Sequence, residues 1–306
     1  MNLFIAIVTG TLIAATPLIL AALGELVVEK SGVINLGIEG MMLVGAAVAF
    51  LCIHSGLPML VAILFAALAG AASSFLFAVL ALFFLANQYA VGLALAIFGA
   101  GVSAFIGRGF SSSPIETLKP LHFPVLSDLP VIGPLLFNFN FLVYFALLLA
   151  VVIAWFLYRT RWGLTLRVVG ESPHTAHAIG YPVIKIRFCA ILFGGLLAGL
   201  GGAYLSVAYT PVWIENITAG KGWIAVALVV FSTWRPYRVV LGAWLFGGMT
   251  ILQFQGQALG LTVPSELLSA IPYISTIVVL VIISKNRALL AAHFPASLAK
   301  PYMPNQ

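Results

Sequence analysis

Nine long apolar stretches, most of them close to twenty residues, limit what this chain can fold into. About twenty residues of α-helix span about 30 Å, the hydrocarbon thickness of a bilayer, and a helix satisfies its own backbone hydrogen bonds there. Only 7% of the 306 residues are charged, whereas soluble domains have about 25%. We therefore predict an all-α polytopic membrane helix bundle of about 8–10 transmembrane helices, in a single domain that covers residues 1–306. The stretches are 3–24, 34–53, 58–85, 89–107, 141–158, 187–208, 222–234, 239–256 and 269–285.

Two of the stretches differ from ordinary spanning helices. Residues 34–53 open with glycines and polar residues, and residues 222–234 are short for a full crossing. Broken or re-entrant helices are tolerated at membrane depth only where protein or a wet cavity covers their backbone. We expect such a helix at either place. The sides of the N-terminus and of residues 25–30 depend on whether 34–53 crosses the membrane.

The basic residues predict the orientation of the chain in the cell membrane. The loop at 159–187 holds five of the fourteen basic residues, so the positive-inside rule places it in the cytoplasm. The basic cluster at 235–238 and the tail with Lys285, Arg287 and Lys300 then fall on the same side, as do Asn87–Gln88. This rule explains the net charge of +6 without a nucleic-acid partner. The loops expected outside are 109–140, 209–221 and 257–268.

The longest outside loop, 109–140, contains five prolines. Proline disfavours helix interiors, so this spacing predicts an ordered, extended lid and not a helix. A plain connector and a docking surface are both consistent with its sequence.

The chain has no pattern typical of an enzyme or a metal site. Cys52 and Cys189 lie in apolar stretches without a second cysteine or histidine at ligand spacing. The sequence has no nucleophile–base pair, no paired carboxylates at catalytic spacing and no GxxxxGK[ST] motif. The first 24 residues carry no Lys or Arg, so they are expected to be a retained span and not a signal peptide.

Polar residues inside apolar stretches mark a candidate translocation pathway. An acidic group in the hydrocarbon core costs about 2.5–3.5 kcal/mol, so such a group usually faces a cavity or a partner. In residues 31–45, Asn35 and Glu39 are four apart, which would place them on one helical face. A role in the pathway or as a pivot, and a role in packing, are both open. The candidate pathway residues are Asn35, Gly37, Glu39, Gly40, Gln88 and Trp223.

Two further stretches are rich in glycine. Residues 193–207 contain a GxxxG pair formed by Gly195 and Gly199, which predicts tight helix packing. Residues 220–248 open, like 32–50, with glycine followed by an apolar run. This likeness hints at two duplicated halves.

The loop at 159–187 has its own helix start and stop signals. Ser172 can cap a helix, and Pro173 suits its first position. Gly180 then favours a stop, and Pro182 prevents continuation. These signals predict a rigid helix of about two turns, lying parallel to the membrane and acting as a lever on both flanking spans. A solvated turn is the alternative.

Three ordered motifs resemble a known family. TRWGLTLRVVGESPHTAHAIGYPV, followed by FGGLLAGLGGAYLS, resembles the cytoplasmic coupling segment of binding-protein-dependent ABC transporter permeases of the branched-chain amino acid, ribose and nucleoside type. LVVEKSGVINLGIEGMMLVGA resembles the characteristic stretch of its simple-sugar and nucleoside branch. GKGWIAVALVVFSTWRP resembles the counterpart in the C-terminal half.

The resemblance implies the permease subunit of an importer. Cytoplasmic ATP-binding subunits would use the ATP, so this chain would bind no cofactor. An extracellular or periplasmic binding protein would deliver a small polar solute, and a second permease, homologous or identical, would complete the pathway. Nucleosides are the leading substrate class, with ribose or another simple sugar as the alternative, and an ion-coupled secondary transporter as an alternative of another class. The residues expected to couple to the ATPase are Arg167, Glu171, Ser172, Pro173, His174, Thr175, Ala176, Ile179, Gly180 and Tyr181.

Overall fold

The structure is a computed structural model that describes residues 3–110, 114–127, 129–258, 265–284 and 293–303. Lys285 and Arg287, which contributed to the predicted orientation, lie outside the described residues. The helices are α1 (Leu3–Lys30), α2 (Ile38–His54), α3 (Met59–Ala78, extended by a π-turn at Val79–Phe83), α4 (Gln88–Gly107), α5 (Ile132–Leu136), α6 (Phe141–Arg159), α7 (Arg161–Glu171), α8 (Pro173–Ala178), α9 (Val183–Tyr204, extended by a π-turn at Leu205–Tyr209), α10 (Lys221–Phe231), α11 (Pro236–Ala258) and α12 (Ser265–Ser284).

Every predicted apolar stretch coincides with a helix, which confirms the all-α polytopic bundle. Six of the helices in the described part of the chain are long and apolar enough to cross a membrane: α1, α3, α4, α6, α9 and α11. The two unusual stretches became the short helices α2 and α10, of 17 and 11 residues. At 1.5 Å per residue, α10 is about 16 Å long, which is about half of the hydrocarbon thickness.

Helix α9 lies at the centre of the bundle and packs against α1, α2 and α3. Glycines allow these backbones to touch. A Cβ added at Gly45 of α2 would lie 2.6 Å from the Cα of Gly199, and one added at Gly24 of α1 would lie 2.9 Å from the carbonyl oxygen of Gly194. Because real Cβ atoms do not approach that closely, the glycine-rich stretch serves tight helix packing, as predicted.

The two halves of the chain repeat the same order of elements. In the first half, long helix α1 is followed by an irregular segment, short helix α2 and long helix α3. In the second half, α9 is followed by an irregular segment, short α10 and long α11. Helix α1 packs on α9 and α11, while α9 packs on α1 and α3. This arrangement agrees with the hint of duplication and is typical of transporters with inverted repeats and discontinuous helices.

The outer loop lacks regular structure at 115–123 and turns at 124–127, but the prediction that it lacks helix is wrong at α5. Pro134 stands in the first turn of this five-residue helix, where a backbone N–H has no helical partner and proline is tolerated. Upstream, the Leu118 amide donates to the Val207 carbonyl at 2.9 Å. Glu116 and Lys119 form an exposed ion pair at 2.8 Å, and the hydrogen bond from Lys119 lowers the pKa of Glu116.

A pair of glycines on α4 tests the close packing. A Cβ at Gly99 would lie 2.6 Å from the carbonyl carbon of Gly40, whereas one at Gly101 would meet nothing within 4 Å. We expect Gly99→Ala to reduce the free energy of unfolding by about 1–3 kcal/mol, because the backbones of α2 and α4 must separate. Gly101→Ala is the matched control, and its higher helix propensity should leave stability equal or improved. The measurement is Tm by tryptophan fluorescence in detergent; equal Tm values for the two variants would contradict the packing.

Candidate functional site

The segment 31–37 leaves the end of α1 and runs back along that helix. The Asn35 amide donates to the Glu25 carboxylate at 2.8 Å, the Ile34 amide donates to Gln88 Oε1 at 3.0 Å, and the Gly37 amide donates to Asn35 Oδ1 at 3.0 Å. The side chains of Glu25, Asn35 and Gln88 are all buried. Because non-helical backbone at membrane depth needs internal partners, these side chains make the re-entrant path possible.

Asn35 and Glu39 do not share a helical face, so that expectation is wrong. Helix α2 begins at Ile38, and Asn35 lies before it. Asparagine accepts from the backbone two residues further on, which favours a turn over a helix. The helix start is therefore displaced past the polar residue, and only Glu39 belongs to α2.

The carboxylate of Glu39 links the start of α2 to the start of α10. It accepts hydrogen bonds from the Thr218 hydroxyl at 2.5 Å, the Gly220 amide at 2.8 Å and the Gly222 amide at 2.6 Å. The side chain is only 4% exposed. The first amides of a helix lack helical partners and carry a partial positive charge, which a carboxylate stabilises. Glu39 thus caps α10 from another helix, and the N-termini of both short helices meet inside the protein.

The glycines around Glu39 are required by close approach. A Cβ at Gly222 would lie 2.5 Å from the Cα of Glu39, and a Cβ at Gly40 would lie 2.9 Å from the Cα of Ala96. At Gly37, a Cβ would lie 3.0 Å from Asn35 Oδ1. The predicted small residues therefore let α2 contact α4 on one side and α10 on the other.

The six candidate pathway residues divide into two groups. Five of them, Asn35, Gly37, Glu39, Gly40 and Gln88, come together around the segment 31–37, where the three polar side chains are buried. Trp223 lies in the capped first turn of α10, directly after Gly222, and is 51% exposed. Their role in translocation remains a prediction.

Two buried carboxylates near the end of α1 were missed by sequence reasoning. Besides Glu25, Glu29 is fully buried and accepts a hydrogen bond from Trp234 Nε1 at 2.6 Å. Trp234 follows the C-terminal end of α10, so this bond fixes the other end of the short helix. The signal was present, because two carboxylates four residues apart share a helical face. The apolar stretches alone place residues 25–30 in a loop between two spans, whereas they belong to α1.

The predicted coupling helix is present as α8. The Thr175 amide donates to Ser172 Oγ at 3.4 Å, and Pro173 occupies the first turn. Gly180 has φ of +93°, and its amide donates to the His177 carbonyl at 2.8 Å. The capped helix and its stop are therefore confirmed.

A second helix in this loop, α7, was missed by sequence reasoning. Its cap is Thr160, whose hydroxyl oxygen accepts from the Gly163 amide at 3.0 Å. A threonine directly before an amphipathic stretch is a helix-start signal. Glu171, one of the predicted coupling residues, therefore ends α7.

The predicted coupling residues form an exposed surface on a buried base. Pro173 and Ala176 are buried, while Arg167 and Ser172 are half-buried. The remaining six, which we call the coupling surface, are exposed: Glu171, His174, Thr175, Ile179, Gly180 and Tyr181.

A C-terminal strap, residues 293–303, holds the base of α8. Tyr302 is buried, and its ring centroid lies 5.3 Å from that of His174 and 6.2 Å from that of His177. The Ser297 amide donates to the Gly170 carbonyl at 3.0 Å. Sequence reasoning had assigned the tail only to the cytoplasmic side. Its packing shows that it is part of the support for α7 and α8.

Arg187 joins the strap to the segment 31–37. It had been counted among the basic residues of the loop, but it lies on α9 and is 1% exposed. Its Nε donates to the Ser31 carbonyl at 3.0 Å and its Nη2 donates to Ser297 Oγ at 3.0 Å. The Ala299 amide also donates to the Gly32 carbonyl at 3.2 Å. The coupling surface and the segment that leads to Glu39 therefore share one hydrogen-bonded joint.

Comparison with known proteins gives one family and several relatives. Residues 7–283 match the family described as branched-chain amino acid transport system / permease component. The chain is 36% identical to the "Putative glucose ABC transporter permease protein TsgC13" of Haloferax volcanii, over 99% of this chain and 98% of the relative. It is 35% identical to the nucleoside ABC transporter permease protein NupC of Lactococcus lactis and 35% identical to the guanosine ABC transporter permease protein NupQ of Bacillus subtilis, each over 90% of both chains. No solved structure matches the chain.

Proposed function

This chain belongs to the branched-chain amino acid transport system / permease component family, and on that premise we propose that it forms the translocation pathway of a nucleoside importer. It is a multi-pass permease subunit of an ABC transporter, and six helices in its described residues are able to span a membrane. Family membership decides against the ion-coupled secondary transporter. As an ABC permease it works with an ATPase and with a binding protein. We further propose that a second permease subunit completes the pathway.

The coupling surface is the proposed contact for the ATPase. It lies at the cytoplasmic end of the bundle in the predicted orientation, and it exposes the apolar side chain of Ile179 to 63%. Exposed apolar side chains on a rigid, capped element are typical of protein contacts. The buried base of α8, packed on Tyr302, would prevent the helix from yielding when the ATPase moves it.

The joint at Arg187 supports a mechanical route from the ATPase to the membrane interior. Movement of α8 would carry Gly170 and the strap, which are bonded to the segment 31–37 through Ser297 and Arg187. That segment leads directly to Glu39, whose carboxylate holds the first turn of α10. ATP binding can shift the permease only if it favours one of its conformations. We propose that the position of α10 is what differs between those conformations.

Nucleosides are the proposed substrates because two relatives are named for a nucleoside and for guanosine. Trp223, half exposed beside the capped turn, supports this choice, since an indole ring can stack on a flat base. Glucose or another simple sugar is the second candidate, because the Haloferax volcanii relative is named for glucose and matches over 99% of the chain.

The substrate proposal is tested by reconstituting the chain in vesicles with its ATPase, its partner permease and its binding protein. We expect nucleosides to stimulate ATP hydrolysis and to accumulate inside, while glucose and ribose at equal concentration do not. Trp223→Ala should raise the nucleoside concentration needed for half-maximal uptake by about tenfold, since base stacking is worth about 1–3 kcal/mol. Phe105→Ala, which removes another exposed ring in α4, is the control. Stimulation by glucose alone would replace the nucleoside proposal with the sugar one.

The lever role of α8 is tested at two left-handed glycines. Gly180 and Gly56 have φ of +93° and +81°, and both have open space around them. They differ in position, because Gly180 follows the coupling helix α8, whereas Gly56 follows the C-terminal end of α2, away from Glu39. We expect Gly180→Pro to reduce uptake per ATP hydrolysed by at least about tenfold, because proline forces φ to about −65° and disrupts the stop of α8. Gly56→Pro should leave that ratio unchanged.

The readout is the ratio of uptake to hydrolysis in vesicles that contain equal amounts of inserted protein. Glu171→Ala, which alters the coupling surface itself, should also lower the ratio. Normal coupling in both Gly180→Pro and Glu171→Ala would contradict the lever role.

A further inference from the structure

An apolar groove opens between α6 and α9. It has a volume of about 590 Å³, and its walls run from Leu149 to Phe156 on α6 and from Lys185 to Phe193 on α9. Val27 of α1 lies in its wall, and α7 contributes Trp162, Thr165 and Leu166 at one end. Both α6 and α9 can span a membrane, so the groove lies at the depth of the bilayer.

The contents of such a groove must be apolar. Its lining in the described part of the chain includes no acidic side chain, and nearly all of it is aliphatic or aromatic. Water in an apolar cleft would have no polar partners, and an empty cleft would lose the packing contacts of its walls. A hydrocarbon chain or an apolar protein segment therefore fills it in the membrane.

A charged residue and two tryptophans beside the groove favour a lipid over a protein segment as its occupant. Lys185 is exposed at the rim, and among the described residues it has no hydrogen-bond or ion-pair partner. Trp155 and Trp162 flank the groove and are largely exposed, as is typical of residues at the level of the lipid headgroups. An unpaired cation on the cytoplasmic side, next to an apolar cleft, complements an anionic phospholipid.

The position of α7 disfavours a transmembrane helix of another subunit as the occupant. The α6 wall from Leu149 to Phe156 is about 10 Å long, less than two helical turns. Because Trp162, Thr165 and Leu166 of α7 line the groove together with α6 and α9, a helix that crosses the membrane there would meet α7. An acyl chain can end inside the groove.

We propose that this groove binds one anionic phospholipid, with an acyl chain between α6 and α9 and the phosphate beside Lys185. The lipid contacts α7 through Trp162 and Leu166, so it braces the helix that precedes the coupling surface. This site is independent of the solute that the permease transports.

The proposal is tested by native mass spectrometry of the assembled transporter taken from nanodiscs with equal amounts of phosphatidylglycerol and phosphatidylcholine. We expect the wild type to retain phosphatidylglycerol preferentially, and Lys185→Gln to reduce that preference about fivefold, the effect of removing one basic group near anionic lipid. Lys300→Gln is the matched control, because Lys300 is an exposed cytoplasmic lysine outside the groove. Equal preference in the wild type and in Lys185→Gln would overturn the assignment of the phosphate.

The acyl part of the proposal has its own test. Ala190→Trp should fill the groove and reduce retention of both lipids, while ATP hydrolysis shows that the complex still assembles.

Cys189 lines the groove and is exposed, whereas Cys52 is buried. Cys189 is therefore the natural attachment point for a cross-linker. Photoactivatable acyl chains of phosphatidylglycerol should label the peptide that contains Cys189. A cross-link from Cys189 to another permease subunit, with no lipid labelling, would show that protein occupies the groove and would overturn the proposal.

Discussion

The hydrogen bonds to the carboxylate of Glu39 are the interaction on which the interior of this permease depends. Two segments, 31–37 and 210–220, connect the long helices to the short ones without helical structure, and each ends at the first turn of a short helix. Helix starts expose unpaired amides, and an unpaired buried polar group costs about 1–3 kcal/mol. Glu39 supplies acceptors for the start of α10 while belonging to the start of α2. Glu39 therefore satisfies the start of α10, while Glu25, Gln88 and Asn35 satisfy the segment 31–37.

The segment that leads to Glu39 is attached to the helices at the cytoplasmic face. Lever-like movement of α7 and α8 would be absorbed by a flexible loop if these helices were attached only through their flanking spans. The strap and Arg187 attach them instead to the segment 31–37, through Ser297 and the carbonyl of Ser31. The segment runs on from Ser31 to Gly37, and a single residue, Ile38, separates Gly37 from Glu39. This short path, which hydrogen bonds hold at Ser31, Ile34, Asn35 and Gly37, is what makes the transmission of movement physically reasonable, since packed elements shift between discrete arrangements instead of deforming.

Local features of this fold could be read from the sequence, whereas the contacts between distant segments could not. The apolar stretches predicted every spanning helix, because length and hydropathy suffice in a membrane. Ser172, Pro173 and Gly180 predicted α8, because caps act over a few residues. Nothing local indicates that Thr218 would meet Glu39, which lies 179 positions away.

The position of Asn35 shows the limit within a single segment. Its spacing from Glu39 suggests one helical face. Instead, its side chain accepts a hydrogen bond from the Gly37 amide and forms a turn, so α2 begins only at Ile38. The packing of the strap on α8 could not be predicted from the sequence either, because it depends on contacts between Tyr302 and two histidine rings that are distant in the sequence. Polar residues in apolar stretches thus identified where the site lies, but not which groups they contact.

The most direct test of this account is hydrogen–deuterium exchange of residues 218–224 in the assembled transporter, with and without a non-hydrolysable ATP analogue. In the wild type and in Glu116→Gln, which alters an exposed outer ion pair, ATP binding should change exchange both in the coupling surface and in 218–224. In Glu39→Gln, loss of the charged acceptor should raise the resting exchange of 218–224 by about 10–100-fold, as expected for a charge-assisted hydrogen bond. The response to ATP should then remain confined to the coupling surface. An unchanged response of 218–224 to ATP in Glu39→Gln would contradict the account.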